Sequence, residues 1–130
     1  MKRKTVTLKI RLGIPLAALT LALTGAVATA SPAQADYTDC FSGRLCIWQD
    51  YEYSGTLGMY SPSTSCYSMG VMNNETTSVY NRSGRTVRLY DSGNCTGDYY
   101  SISNGFRVWN LRYGPQGSNW NDRISSFKQV

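Results

Sequence analysis

The chain has 130 residues, with 13 Lys and Arg against 8 Asp and Glu, four cysteines and no histidine. Without histidine there is no Ser-His or Cys-His nucleophile and none of the usual histidine zinc sites. The formal charge of +5 is no argument for nucleic acid: Lys2, Arg3, Lys4, Lys9 and Arg11 account for all of it, and from Asp36 onward eight basic residues balance eight acidic ones, leaving no excess to recruit phosphates.

That cationic start runs into the apolar, uncharged "LGIPLAALTLALTGAVA" and then "AQA" at 33–35. Residues 1–35 therefore read as a secretory signal with cleavage after Ala35. The apolar run is broken by Pro15 and Gly25 and falls short of the ~20 residues of a membrane span, so no membrane association is expected after cleavage. Residues 36–130 are expected to form a single secreted, monomeric domain. A chain that short buries only about two-thirds of its surface, so staples matter. Cys40, Cys46, Cys66 and Cys95 all lie in the exported part, where four cysteines mean two disulfides. Three pairings are possible. The favoured one joins Cys40–Cys46 around "FSGRL" and Cys66–Cys95 across the two halves of the domain, each stabilising by roughly 2–4 kcal/mol. A four-cysteine zinc site would want paired C-x-x-C spacing, which is missing.

Further along, the chain repeats itself. "LCIWQDYEYSG" at 45–55 overlays "VRLYDSGNCTG" at 87–97 with an offset of 42, and "NNETTS" at 73–78 overlays "NDRISS" at 121–126 with an offset of 48. The difference fits a six-residue insertion in the second copy, around "YGPQGSN". Two units follow, about 40–82 and 83–130. "TSVYNR", "RTVRLYD", "DYYSIS" and "SSFKQV" are short runs rich in β-branched and aromatic residues, bounded by Gly, Asn and Ser, and they read as strands. No helical period is sustained after residue 36. Two four-stranded Greek keys packed face to face are the simplest closure, with tyrosine rings covering the core and hydroxyls reaching water.

Aromatic-x4-aromatic-x-Gly followed by Asn/Asp-Asn/Asp-x-x-Ser/Thr-Ser resembles the Greek keys of the microbial, calcium-binding βγ-crystallins. The likeness is tight in "WQDYEYSG", "NNETTS" and "NDRISS" and looser in "YDSGNCTG", where Cys95 replaces the second ring. "CFSGRLCIWQDYEYSG" also resembles the secreted actinobacterial metallopeptidase inhibitors, which share that architecture. The resemblance implies an all-β, disulfide-stapled sandwich and an extracellular protease as partner.

Calcium wants six to eight oxygens, and each hexamer offers side-chain oxygens at positions one, two and five, with no thiol or imidazole to favour a softer metal. Two hexamers brought together beside the hairpins carrying Asp50, Glu52 and Asp91 would make two neighbouring Ca2+ sites. Carried over from the family, the ligands are Asn73, Asn74, the Thr76 carbonyl and Thr77 in one copy. In the other they are Asn121, Asp122, the Ile124 carbonyl and Ser125. The first copy has no carboxylate at positions one and two, so its site is expected to be the weaker. The plain alternative is that these polar side chains only close turns onto the backbone, a task assigned here to Ser78 and Ser126.

No enzymatic activity is expected. Asp50 and Glu52 as a glycosidase pair are outweighed by their reading as solvated or calcium-facing groups, and no phosphate-cradling glycine loop is present. Arg82, Arg85 and Arg88 read as a solvated face. The sequons at Asn74, Asn81 and Asn94 are expected by chance in so Asn- and Ser-rich a chain. Two function classes remain. One is peptidase inhibition, with "SPSTSCYSMGVM" at 61–72 as a rigid loop pinned at Cys66 that offers Tyr67 and Met69 to a specificity pocket. The other is a calcium-stabilised binding, stress or antimicrobial module that inhibits nothing.

Overall fold

A computed structural model describes residues 36–114 and 117–130; the signal-peptide reading lies outside the described residues. Among the described residues there are eight strands: β1 Leu45–Trp48, β2 Leu57–Tyr60, β3 Tyr67–Ser68, β4 Ser78–Asn81, β5 Val87–Tyr90, β6 Tyr99–Ile102, β7 Arg107–Val108 and β8 Ser126–Gln129. They form two antiparallel four-stranded sheets, ordered β2-β1-β4-β7 and β3-β8-β5-β6. The all-β sandwich of two Greek keys is as expected, with one addition. Each unit lends its third strand to the sheet of the other. β3 docks on β8, where Tyr67 stacks on Phe127 at 5.0 Å between centroids, 25° from parallel.

The repeat is visible in the backbone. β1 pairs β2 from Leu45↔Tyr60 to Trp48↔Leu57, and β5 pairs β6 from Val87↔Ile102 to Tyr90↔Tyr99, each residue 42 positions from its twin. Glu52 and Tyr53 turn the first hairpin at φ 52° and 58°, and Asn94 and Cys95 turn the second at 59° and 53°. Gly55 and Gly97 close them at φ 76° and 79°. A Cβ on Gly55 would lie 2.5 Å from the Asp50 carboxylate, and one on Gly97 would fall on that of Asp91. Only glycine meets both demands.

Between the sheets, Leu45, Ile47, Val79, Val87, Leu89 and Phe127 form the centre of the core, with Met72 and Trp120 at one end. Alternation along β1 sends Cys46 and Trp48 to the outer face of their sheet, yet both are fully buried. A second small cluster covers them: Cys40, Tyr53, Leu57 and Tyr80. Tyr37, in the short 3-10 turn Tyr37–Asp39, packs edge-on against Tyr53 and Tyr80 and lies under the Arg107 guanidinium at 3.7 Å. The Cys40–Cys46 disulfide closes this layer, and Cys66–Cys95 joins the start of β3 to the second hairpin. Both pairings are the favoured ones. The arginine cluster is less solvated than expected, since Arg88 lies over the Tyr99 ring at 4.5 Å and Arg82 donates to the Cys40 carbonyl at 2.5 Å. The sequon at Asn81 is closed by burial, its side chain donating to the Arg85 and Ile102 carbonyls.

Candidate functional site

The two polar hexamers meet at one end of the sandwich and hold each other. The N–H of Asn74 donates to the Ile124 carbonyl at 3.0 Å, and the N–H of Asp122 donates to the Thr76 carbonyl at 2.9 Å. Position two of each copy thus bonds position four of the other. Asn74 and Asp122 reach across in the left-handed conformation, φ 56° and 54°, which Asn and Asp tolerate better than most residues. Thr77 and Ser125 are anchored alike, their N–H groups on the Trp48 and Tyr90 carbonyls and their carbonyls accepting from Leu111 and Met69. Position six closes the hairpins. Ser78 Oγ accepts from the Tyr53 N–H and donates to the Asp50 carbonyl, while Ser126 Oγ accepts from the Cys95 N–H and donates to the Ser92 carbonyl.

This bridge sorts the oxygens into two corners, each drawing on both hexamers. At one, Ser125 Oγ lies 3.1 Å from Asn74 Oδ1 and 3.0 Å from the Asp91 carbonyl. Both neighbours are acceptors and the hydroxyl has one proton, so three oxygens crowd around a single shared hydrogen. Beside it, Asn73 lines a hollow of about 300 Å³ with Ser68, Gly70 and Gly93. The Asp91 carboxylate points elsewhere, into an ion pair with Arg123 at 3.0 Å.

The other corner opens into a hollow of about 600 Å³ that holds Thr77, Asp122, Asn121 and Asp50. Here the local charge is acidic, since Gln49 donates to Glu75 at 2.6 Å where the twin corner has the Asp91–Arg123 pair. Asn121 Nδ2 donates to Asp122 Oδ2 at 2.6 Å, and Asn121 Oδ1 is shielded from solvent without a hydrogen-bond partner. Among the described residues no three His, Cys, Asp or Glu side chains are grouped so as to hold a metal ion by themselves, so a cation here would be held mainly by amide, hydroxyl and carbonyl oxygens. Those are ligands a hard ion accepts, and both the orphaned Asn121 oxygen and the crowded Ser125 oxygens fit one.

Of the nominated residues, Asn73, Asn74, Thr77, Asn121, Asp122, Ser125, Asp50 and Asp91 therefore line the corners. The Thr76 and Ile124 carbonyls already accept one hydrogen bond each across the bridge. Glu52 stands outside both hollows among the described residues, giving its N–H to the Trp109 carbonyl. Gln49 and Glu75 were overlooked. The repeat offsets of 42 and 48 would have found them as the twins of Asp91 and Arg123.

Segment 61–72 is well fixed, with the Gln129 N–H on the Ser63 carbonyl at 2.7 Å, β3 paired to β8, and Cys66 bridged to Cys95. Tyr67 stays 49% exposed. Met69 does not serve as an outward side chain. It is 2% exposed and part of the core, because the 3-10 turn Gly70–Met72 spaces Met69 and Met72 by three and turns both inward. The outward residue of that turn is Val71, 91% exposed. Burial raises the phenol pKa of Tyr60, with Tyr67 adding to it, and burial also raises that of Tyr100. At Tyr53 burial raises it against the opposing Arg107 charge.

The architecture has known counterparts. A βγ-crystallin from Ciona intestinalis superposes with a TM-score of 0.56 at 21% identity, covering 67% of this chain and 99% of that one. One from an archaeon gives 0.56 at 17%, covering 67% and 96%. A domain from Clostridium beijerinckii gives 0.52 at 23%, covering 65% and 94%. At such identities the likeness is one of fold. No curated protein sequence matches the chain. The profile of peptidase inhibitor family I36 matches residues 33–102, from before the Cys40–Cys46 loop to the end of β6. That span is more than half of the chain: the protein belongs to peptidase inhibitor family I36 and has the βγ-crystallin fold.

Proposed function

We propose that the protein is a secreted inhibitor of metallopeptidases whose crystallin sandwich is stabilised by calcium at two corners. The family match over residues 33–102 carries the inhibitory reading; the metallopeptidase class comes from the resemblance in "CFSGRLCIWQDYEYSG". Two disulfides suit an oxidising, extracellular compartment, and no helix of the described residues is long and apolar enough to cross a membrane. The inhibitory segment is 61–72. Its pinned backbone would lose little entropy on entering a cleft, and it presents Tyr67 and Val71.

Calcium is supported by the oxygens around Ser125 and by the unpartnered Asn121 Oδ1. One corner would use Ser125, Asn74 and the Asp91 carbonyl, the other Thr77, Asp122 and Asn121. Because the sites draw on both hexamers, the carboxylate of the second copy serves the corner of Thr77. That corner is then the tighter one, reversing the ranking expected from each hexamer alone.

Titration of the purified protein against thermolysin-like and serine peptidases, with and without calcium, tests the reading. Stoichiometric inhibition of the metallopeptidase alone is expected; slow cleavage without inhibition retires it. The burial of Met69 favours the second reading, a calcium-stabilised extracellular module without inhibition, to the extent that it leaves the segment fewer side chains for a specificity pocket. In either case the melting temperature should rise in calcium, since an ion at a hundredfold its dissociation constant adds about 2.7 kcal/mol per site. An unchanged melt against a chelator control rejects the metal.

A further inference from the structure

The fold closes the same end twice, and the two closures are furnished differently. Beside Ser125 the link from Met69 to Met72 is Gly70 and Val71, and among the described residues the hollow there has no aromatic side chain in its lining. Beside Thr77 the corresponding link, from Leu111 to Trp120, runs through residues 112–119. The N–H of Trp120 closes it on the Leu111 carbonyl at 2.8 Å, as Met72 closes the short link on Met69 at 3.2 Å. From that link Arg112 and Tyr113 line the larger hollow. Tyr51, Trp109 and Tyr113 line it while remaining 57%, 48% and 73% exposed, and the last two rings are 6.0 Å apart, tilted by 32°.

Folding does not require these rings, because the twin closure does without them. Three exposed rings around one trench mark a binding surface. The polar groups between them are complementary in kind. Asn110 Oδ1 accepts from the Arg112 N–H, which leaves its NH2 to donate. Gln49 commits an N–H to Glu75, which leaves its carbonyl to accept. The charge is Asp50, Glu75 and Asp122 against Arg112, which disfavours an anionic ligand. The matching ligand is uncharged, with an apolar C–H face for the negative face of a ring and a rim of hydroxyls that both donate and accept.

From this we infer that the trench binds a neutral hexopyranose glycan. Trp109 and Tyr113 stack on the sugar faces, and Asn110 and Gln49 take the hydroxyls. The ring pair lies outside segment 61–72 and supplies none of the calcium ligands, but the trench shares its hollow with the Thr77 corner, so the two readings are separated by working without the ion.

The test is a titration with chitotetraose and with cellotetraose, in chelator, read by calorimetry and tryptophan emission. Trp48 and Trp120 are 0% and 5% exposed and Trp109 is 48% exposed, so a blue shift reports Trp109. Saturable binding of one of the two sugars is expected, weakened at least tenfold by Trp109→Ala and by Tyr113→Ala and largely kept by Trp109→Tyr, with unchanged melting and peptidase inhibition. Chelator makes the result independent of the calcium reading, and the sugar signal is independent of inhibition. Absence of heat and shift with both sugars at tens of millimolar overturns the inference, as does binding that survives both alanine substitutions. Loss of peptidase inhibition in those variants, without any sugar signal, also overturns it and gives the trench to a protein partner.

Discussion

Ser126 accepts the N–H of Cys95 at 2.9 Å, so a fully buried hydroxyl in the last strand holds the residue whose sulfur is bridged to Cys66. Ser78 holds Tyr53 in the same way at 3.1 Å. Replacing either serine by alanine strands a hairpin N–H and a carbonyl, at a cost of about 1–3 kcal/mol for each buried group left unpaired. Ser78→Ala and Ser126→Ala should each lower stability by that order in urea melts, with calcium absent. A loss below about 0.5 kcal/mol, the usual range for a surface change, would mean that the hydroxyls do not close the hairpins.

The two disulfides should differ in worth. Cys66–Cys95 spans 29 residues and Cys40–Cys46 spans six. In the chain-entropy account their removal costs about 3.6 and about 2.2 kcal/mol respectively. Cys66→Ser with Cys95→Ser is therefore expected to destabilise more than Cys40→Ala with Cys46→Ala. Cys40 and Cys46 are buried against Trp48, however, and add a packing loss. The ranking is read by comparing denaturation midpoints of the two double variants, and a reversal would show that packing of the outer layer outweighs loop closure.

The repeat was legible because special backbone positions leave chemical traces. Gly55 and Gly97 mark the hairpin closures, Asn74 and Asp122 mark the left-handed positions of the bridge, and the serines at position six mark hydroxyls with a fixed task. Even the insertion is where the offsets put it, between Leu111 and Trp120. The exchange of third strands left no such trace, since β3 and β7 have two residues each, too few for a period. The crossing of the hexamers depends on where two distant turns meet in space, and six-residue windows contain nothing of that. Met69 was misplaced for a related reason. "SMGVM" has no strand alternation, and a single 3-10 turn decides that Met69 and Met72 go in while Val71 goes out.

Stability should be insensitive to pH across the neutral range and fall in alkali. There is no histidine to titrate. Tyr53, Tyr60 and Tyr100 have phenol pKa values raised chiefly by burial, above the ordinary value near 10 that they regain on unfolding. Above about pH 10 the unfolded chain gives up these protons first and binds fewer than the folded one, so unfolding becomes easier as pH rises. The contribution is whole below the unfolded pKa and is lost as pH climbs through the folded values. Urea midpoints at about pH 8 and about pH 11 should differ, and Tyr100→Phe should reduce the difference. An equal fall in Tyr100→Phe would assign the alkaline loss to other groups.

The crossed corners make an exchange experiment decisive. Asn74 and Asp122 occupy twin left-handed positions at φ 56° and 54°, which Asn and Asp both accept, so swapping amide for carboxylate changes charge with little backbone strain. Asp122→Asn should weaken calcium at the Thr77 corner by roughly tenfold, about 1.4 kcal/mol. Asn74→Asp should strengthen the Ser125 corner, less fully because Arg123 stands beside it, 3.0 Å from Asp91. To assign each effect, Thr77→Ala and Ser125→Ala are combined with the charge changes. If the sites cross, Asp122→Asn and Thr77→Ala damage the same calorimetric step, and Asn74→Asp is neutralised by Ser125→Ala. If each hexamer instead holds its own ion, Asp122→Asn pairs with Ser125→Ala, and the crossed assignment fails.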